Sequence, residues 1–182
     1  SIIIMLSNKF TGNITKTYIF TKMKSFKNRK MKILIYSFYI VTIDQISKYI
    51  VLILLGYEKS INIIPNLLNF TLVKNKGAAF SLFSNSTNIL TLTSVLTTLI
   101  LIIIISIFPP RSFWNLMGLT YLLGGTAGNG IDRFSKGYVL DFLQLTPIDF
   151  PIFNIADILI NIAMICFIID IIKTKDKSRI NY

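Results

Sequence analysis

Four apolar runs of membrane-spanning length constrain this chain more than anything else in it: Ile33–Leu55, Ile89–Phe108, Phe113–Ile131 and Ile152–Ile172. A hydrocarbon core near 30 Å is crossed by about 20 helical residues. The second run is almost purely aliphatic with Thr and Ser, whereas the other three each carry polar residues on one side. A hydrophobic fraction of 53% is too high for an ordinary soluble domain, and 182 residues suit one domain. The expected fold class is a membrane all-α bundle of four transmembrane helices. Between the first two runs, Ile61–Leu72 and Ala79–Phe83 hold β-branched and aromatic residues, broken by Pro65-Asn66 and by Asn75-Lys76-Gly77. That pattern predicts short strands with turns, a small sheet lying at the membrane surface.

Charge sets the orientation. Eight of the 19 basic residues precede Ile33, and none of the eight acidic ones does. Lys173, Lys175, Lys177 and Arg179 crowd the other end. Four spans put both termini on one side, and basic flanks place that side in the cytoplasm. The turn Pro109-Pro110-Arg111-Ser112 is then cytoplasmic, and residues 56–88 and 132–151 face outward. A nucleic-acid-binding tail is the rival explanation of the basic ends. The spans between them argue against it, so no nucleic-acid partner is expected. Residues 1–30 hold no long apolar core and no small-residue cleavage site, so they do not read as a cleaved signal peptide. Met31-Lys32 reads as a more natural start. Residues 1–30 are expected to be a basic extension without function, 31–172 the working unit, and 173–182 a basic cytoplasmic tail.

The chain has no histidine, which removes His-dependent zinc sites and every Ser-His or Cys-His pair. No metal or cofactor is expected. The one cysteine, Cys166, lies in an apolar run and reads as a packing residue.

The polar residues inside these runs are few and patterned, and a carboxylate at bilayer depth is costly, roughly 2.5–3.5 kcal/mol on insertion scales. Asp44 and Lys48 are four apart, on a stripe with Ser37 and Val41, and read as a buried pair that fixes helix packing. Tyr121, Gly125, Gly128 and Asp132 form another stripe, where Gly124, Gly125, Ala127 and Gly128 let a second helix approach closely. At its outer end Asn129, Asp132 and Arg133 read as an orienting network, with Arg133 placed to pair with Asp132. Asn154, Asp157 and Asn161 share one face of the last span (i, i+3, i+7). Asp170, near the other end, reads as interfacial. Asp141 sits in a strand or extended turn, a short return from the span that carries Asp157. Both therefore meet at the outer face. Two close carboxylates cannot both ionise easily, so such a pair shares a proton and supplies an acid and a base together.

The residues that carry this pattern occur as five ordered blocks: Asp44-Gln45-Ile46-Ser47-Lys48, Asn75-Lys76-Gly77-Ala78-Ala79-Phe80, Gly128-Asn129-Gly130-Ile131-Asp132-Arg133, Val139-Leu140-Asp141-Phe142 and Phe150-Pro151-Ile152-Phe153-Asn154-Ile155-Ala156-Asp157. In these the chain resembles bacterial lipoprotein signal peptidase, or signal peptidase II, a membrane aspartic protease, over about residues 31–172. The resemblance implies four transmembrane helices with a small periplasmic β-sheet and a flanking helix. It implies cleavage of prolipoproteins on the amino side of a diacylglyceryl-modified cysteine, in the bacterial inner membrane. It assigns the catalytic pair to Asp141 and Asp157. It makes Asp44, Lys48, Asn75, Asn129, Asp132, Arg133 and Asn154 supporting residues, with Gly77 in the second block and Asn161 on the Asp157 face beside them. Its partners would be the diacylglyceryl prolipoprotein and membrane lipids, and it is expected to act as a monomer. Residues 1–30 have no counterpart, the stretch from Asp141 to Asp157 is short, and Ile158 stands where the family often has a small residue. A proton-coupled transporter is the rival class, but four spans without an inverted repeat are few for one, and the acids gather at one face. A structural membrane adaptor would not account for two aspartates converging there.

Overall fold

The structure, a computed structural model, describes residues 2–57, 59–77, 87–108, 110 and 112–180, and the side chains of these apart from 2–20, 22, 87 and 176–180. Four helices lie where the apolar runs are: α1 (Ile2–Leu55), α2 (Thr87–Ile107), α3 (Phe113–Lys136) and α4 (Ile155–Ile180). Stretches within α1, α2 and α4 are long and apolar enough to cross a membrane: Met23–Leu55, Asn88–Ile107 and Ile155–Lys175. They turn Ile, Leu, Phe and Tyr outward, among them Phe38, Ile103 and Ile165. In lipid this is the low-energy arrangement, since helices satisfy their own backbone bonds and apolar side chains meet hydrocarbon.

α3 is different. Its 24 residues give it a length of about 36 Å, but it is less apolar, and the other three helices all pack against it. A helix shielded by neighbours on most sides has no need of a lipid-facing surface, so its composition can be spent on close contact. A Cβ on Gly124 would lie 2.6 Å from the Ile40 side chain of α1, and one on Gly125 would lie 2.7 Å from the Ala156 carbonyl oxygen of α4. The glycine seam is therefore two-sided. Ser112 caps the start of α3 by accepting from the Asn115 amide at 2.9 Å, and Gly137 ends it in the left-handed conformation (φ 75°) that favours glycine.

Strands β1 (Ser60–Ile64), β2 (Leu68–Asn75) and β3 (Val139–Leu145) form one antiparallel sheet in the order β1-β2-β3. The β1–β2 turn falls at Pro65-Asn66, with Asn66 at φ 58°. The predicted strand over Ile61–Leu72 is thus a hairpin, and the one over Ala79–Phe83 lies outside the described residues. The third strand comes from the chain after α3. It brings Asp141 into register with Val73. Phe153 then bridges to Leu143, which pins the start of α4 beside β3.

Two apolar clusters flank a polar layer. Ile33, Leu101, Ile105, Leu119 and Leu123 join α1, α2 and α3 at one end. Val51, Leu55, Leu72, Leu140 and Phe142 seat the sheet on the C-terminal end of α1. Cys166 is buried, as a packing residue would be. α1 runs unbroken from Ile2, and near residue 30 it touches the far ends of its neighbours: Arg29 donates to the Pro110 carbonyl at 2.9 Å and Lys30 to that of Ser106.

Candidate active site

Where α1, α3, β3 and the start of α4 meet, the buried polar layer is organised around one ammonium. Lys48 Nζ lies 2.7 Å from Asp44 Oδ2, 2.9 Å from Asn129 Oδ1 and 2.9 Å from Asp132 Oδ2. Lys48 and both carboxylates are buried, so all three of its donors are used inside protein. Asp132 takes a second cation, Lys136, at 2.8 Å, and its Oδ2 also accepts from the Leu140 amide. Asp44 Oδ1 accepts from the Ala156 amide at 3.1 Å, which ties α1 to the first turn of α4.

Two details correct the sequence reading. Asp132 pairs with Lys48 and Lys136, not with Arg133, whose guanidinium instead donates to Ser94 Oγ on α2 at 3.2 Å. Adjacent residues on a helix point about 100° apart, whereas residues four apart lie on one face. The spacing of Asp132 and Lys136 was the available signal. Asn154 is also not on the helical face with Asp157 and Asn161, since α4 begins at Ile155. It is the cap: its Oδ1 accepts from the Asp157 amide at 3.0 Å, and Asp157 Oδ2 accepts from the Asn154 amide at 3.1 Å. That reciprocal pair is a capping box with Asp in the third helical position. Asn161 is exposed and donates to the Asp157 backbone carbonyl at 3.0 Å.

Asp141 and Asp157 are brought together by shared asparagines. Asp141 Oδ1 accepts from Asn154 Nδ2 at 2.6 Å and its Oδ2 from Asn75 Nδ2 at 2.7 Å. Asp157 Oδ1 accepts from Asn129 Nδ2 at 2.8 Å. Asn154 Nδ2 reaches Asn129 Oδ1 as well, at 3.0 Å. Gly77 closes the turn after β2, donating its amide to Asn75 Oδ1 at 2.9 Å, so the Asn75 amide is held with its NH₂ toward Asp141.

Four carboxylates belong to the hydrogen-bonded network and fall into two chemical kinds, while a fifth, Asp149, lines the cavity on an exposed turn. Asp44 and Asp132 are neutralised by lysines. Asp141 and Asp157 receive neutral amide donors, with no cation within 4 Å among the described residues. Asp141, only 1% exposed, is pushed up to about 7 by burial and then by the nearby Asp157 carboxylate, against the lowering effect of its Asn75 and Asn154 bonds. Asp157 is half-buried and opens onto a cavity of about 1250 Å³ that Asn129, Arg133 and Asp141 also line. The cavity runs along α4 past Ile158 and Ile162 to Ile165, about 12 Å below Asp157 at the helical rise. A site of this build can hold one proton between two carboxyl groups beside a space with an apolar wall.

Residues 36–173 match the sequence family described as Signal peptidase (SPase) II. The chain is 45% identical over 140 residues to the lipoprotein signal peptidase of Parasynechococcus marenigrum, covering 77% of this chain and 88% of that one. It is 40% identical over 144 residues to the lipoprotein signal peptidase of Trichormus variabilis, covering 79% and 90%. A bacterial membrane enzyme solved by the in meso method at 2.3 Å resolution superposes with a TM-score of 0.74 at 29% identity, covering 80% of this chain and 90% of the other. A second, at 1.9 Å, gives 0.70 at 30% identity, covering 78% and 93%.

Proposed function

The chain belongs to the signal peptidase II family of lipoprotein-processing membrane proteases, and on that premise we propose that Asp141 and Asp157 are its acid and base. The observation that carries the assignment is the contrast among the carboxylates of the network: Asp44 and Asp132 are ion-paired with lysines, whereas Asp141 and Asp157 take side-chain amide donors and line the open cavity. In this reading the resting pair holds one proton on Asp141, whose carboxyl burial pushes up to about 7, and Asp157 acts as the base. Asp157 takes a proton from water as the water oxygen attacks the scissile carbonyl carbon. Asp141 gives its proton to the carbonyl oxygen. As the C–N bond breaks, the proton held by Asp157 passes to the leaving amine and Asp141 recovers its own from the hydroxyl, so the pair ends with one shared proton.

The substrate in this reading is a prolipoprotein cut before its diacylglyceryl-modified cysteine. The cavity supports it. Its volume exceeds the roughly 300–1,000 Å³ of small-molecule clefts, and its isoleucine wall descends α4 into the bilayer. Acyl chains buried there at roughly 0.8 kcal/mol per methylene would hold the scissile bond near the carboxylates. α3 serves as the fourth span, residues 31–172 as the catalytic unit with basic flanks, both termini lie in the cytoplasm, and the aspartates face outward in the inner membrane.

The test is cleavage of purified diacylglyceryl prolipoprotein and of the unmodified precursor by wild type, Asp141→Asn and Asp157→Asn in detergent. Both variants should insert normally and lose cleavage, and wild type should cleave only the lipidated form. Near-normal rates in either variant would remove the dyad. Equal rates on the two precursors would remove the lipid anchor.

A further inference from the structure

Midway along α1, well before the Asp44 level, lies a second, smaller and open cleft on the surface of that helix. Thr21, Lys24, Ser25, Asn28, Arg29 and Lys32 line a space of about 360 Å³. Their spacing puts them on one stripe of the helix. Lys24, Ser25, Asn28 and Lys32 are exposed. The segment is seated, because Arg29 and Lys30 hold carbonyls of Pro110 and Ser106 beside it. No acidic residue lines the cleft among the described residues, and the first acidic residue in the sequence is Asp44. Asn28 is 16 residues before Asp44, about 24 Å along the helix, most of the thickness of a hydrocarbon core. The cleft therefore sits at the opposite membrane face from the dyad.

The same stripe continues from Lys32 to Ile35 and Tyr39, both exposed and apolar. Cations and hydroxyl and amide donors lead directly into a hydrocarbon-facing surface. A free anion would use only the first part, whereas a phospholipid would use both. We propose that this cleft binds the phosphate headgroup of an anionic phospholipid, with an acyl chain lying against Ile35 and Tyr39. Basic clusters immediately beside a span attract anionic lipid, and here Ser25 and Asn28 stand on the same stripe as the lysines and add hydrogen-bond donors for a phosphate. The proposal rests on α1 crossing the bilayer and is independent of the aspartate chemistry.

The test uses the full chain purified in mild detergent, titrated with phosphatidylglycerol or phosphatidylcholine and read by native mass spectrometry. One phosphatidylglycerol should be retained per chain in preference to phosphatidylcholine. Lys24→Gln and Lys32→Gln should each weaken it roughly fivefold, and the double change roughly 30-fold. Lys24→Arg/Lys32→Arg should restore it, and peptidase activity in detergent should be unchanged in all of these. Equal retention of the two lipids, or undiminished phosphatidylglycerol in the double Gln variant, would overturn the proposal. Displacement by millimolar inorganic phosphate would make this a soluble-anion site, and displacement by an oligonucleotide a nucleic-acid one. Either also overturns it.

Discussion

The ammonium of Lys48 donates to the amide oxygen of Asn129 at 2.9 Å, and this decides which end of that amide faces Asp157. Lysine can only donate, and Asn154 Nδ2 donates to the same oxygen, so the Asn129 NH₂ is left to point at Asp157 Oδ1. An ion pair set deep in α1 thereby orients a donor on a half-buried carboxylate at the mouth of the cavity.

Lys48→Met should be far more damaging than Asp44→Asn. Removing the lysine strands a buried Asp44 carboxylate, a loss of about 3–5 kcal/mol, while Asp132 retains Lys136. Removing the Asp44 charge leaves Lys48 still paired with Asp132. The double variant Asp44→Asn/Lys48→Met should recover part of the Lys48→Met loss. Thermal melts in detergent would check this, and additive effects would contradict the shared network.

Asn129→Leu should leave the protein inserted and lower kcat by about 10²-fold, the scale of a misplaced reacting group. Its amide is the link between the lysine cluster and Asp157, and replacing it with leucine makes the helix more apolar, not less. Single-turnover cleavage against membrane level separates the two effects. Unchanged kcat would show that Asp157 is positioned by its capping box alone.

Cleavage should fall as pH rises through about 7, where Asp141 gives up the proton that the mechanism requires. The linkage sign agrees. A carboxyl raised from 3.8 contributes stability fully present below that value and lost as pH climbs through about 7. Asp141→Asn should flatten the melting-temperature profile between pH 3.8 and about 7. Asp157→Asn should shift the carboxyl infrared band of Asp141 to titrate at lower pH, since one of its two raising influences is gone.

Gly125→Ala should destabilise by about 1–3 kcal/mol and reduce cleavage, whereas Gly130→Ala should be tolerated. A Cβ on Gly125 meets the Ala156 carbonyl at 2.7 Å, and backbone cannot swing aside, so α4 and Asp157 must move. At Gly130 the nearest atom is Ser94 Cβ at 3.6 Å, an ordinary contact. Equal melting temperatures for the two would argue against the seam setting the place of α4.

Reporter fusions after Asn85 and Gly137 should mark the outer side, and fusions after Arg111 and Asp176 the cytoplasm. An outer signal at Asp176 would mean that α3 does not cross.

What the sequence by itself determined are the features that follow from composition and local spacing. Helices stand at the four apolar runs because hydropathy acts residue by residue, and Asp44 meets Lys48 because four residues return to the same helical face. Pro65-Asn66 breaks a strand because proline lacks a donor and asparagine accepts a positive φ. The tertiary structure alone decided where the helices rotate and which distant groups then share an atom. Lys48 meets Asn129 across 81 residues, Asn75 meets Asp141 across 66, and Asp44 meets the Ala156 amide across 112. The first and third depend on α3 lying within glycine contact of α1 and α4, the second on the β2–β3 register, and no local pattern encodes a side chain's partner on another element. Asn154 shows the boundary between the two. The spacing i, i+3, i+7 predicts one helical face for Asn154, Asp157 and Asn161, but the helix starts at Ile155, so Asn154 caps it instead, with its amide turned to Asp141.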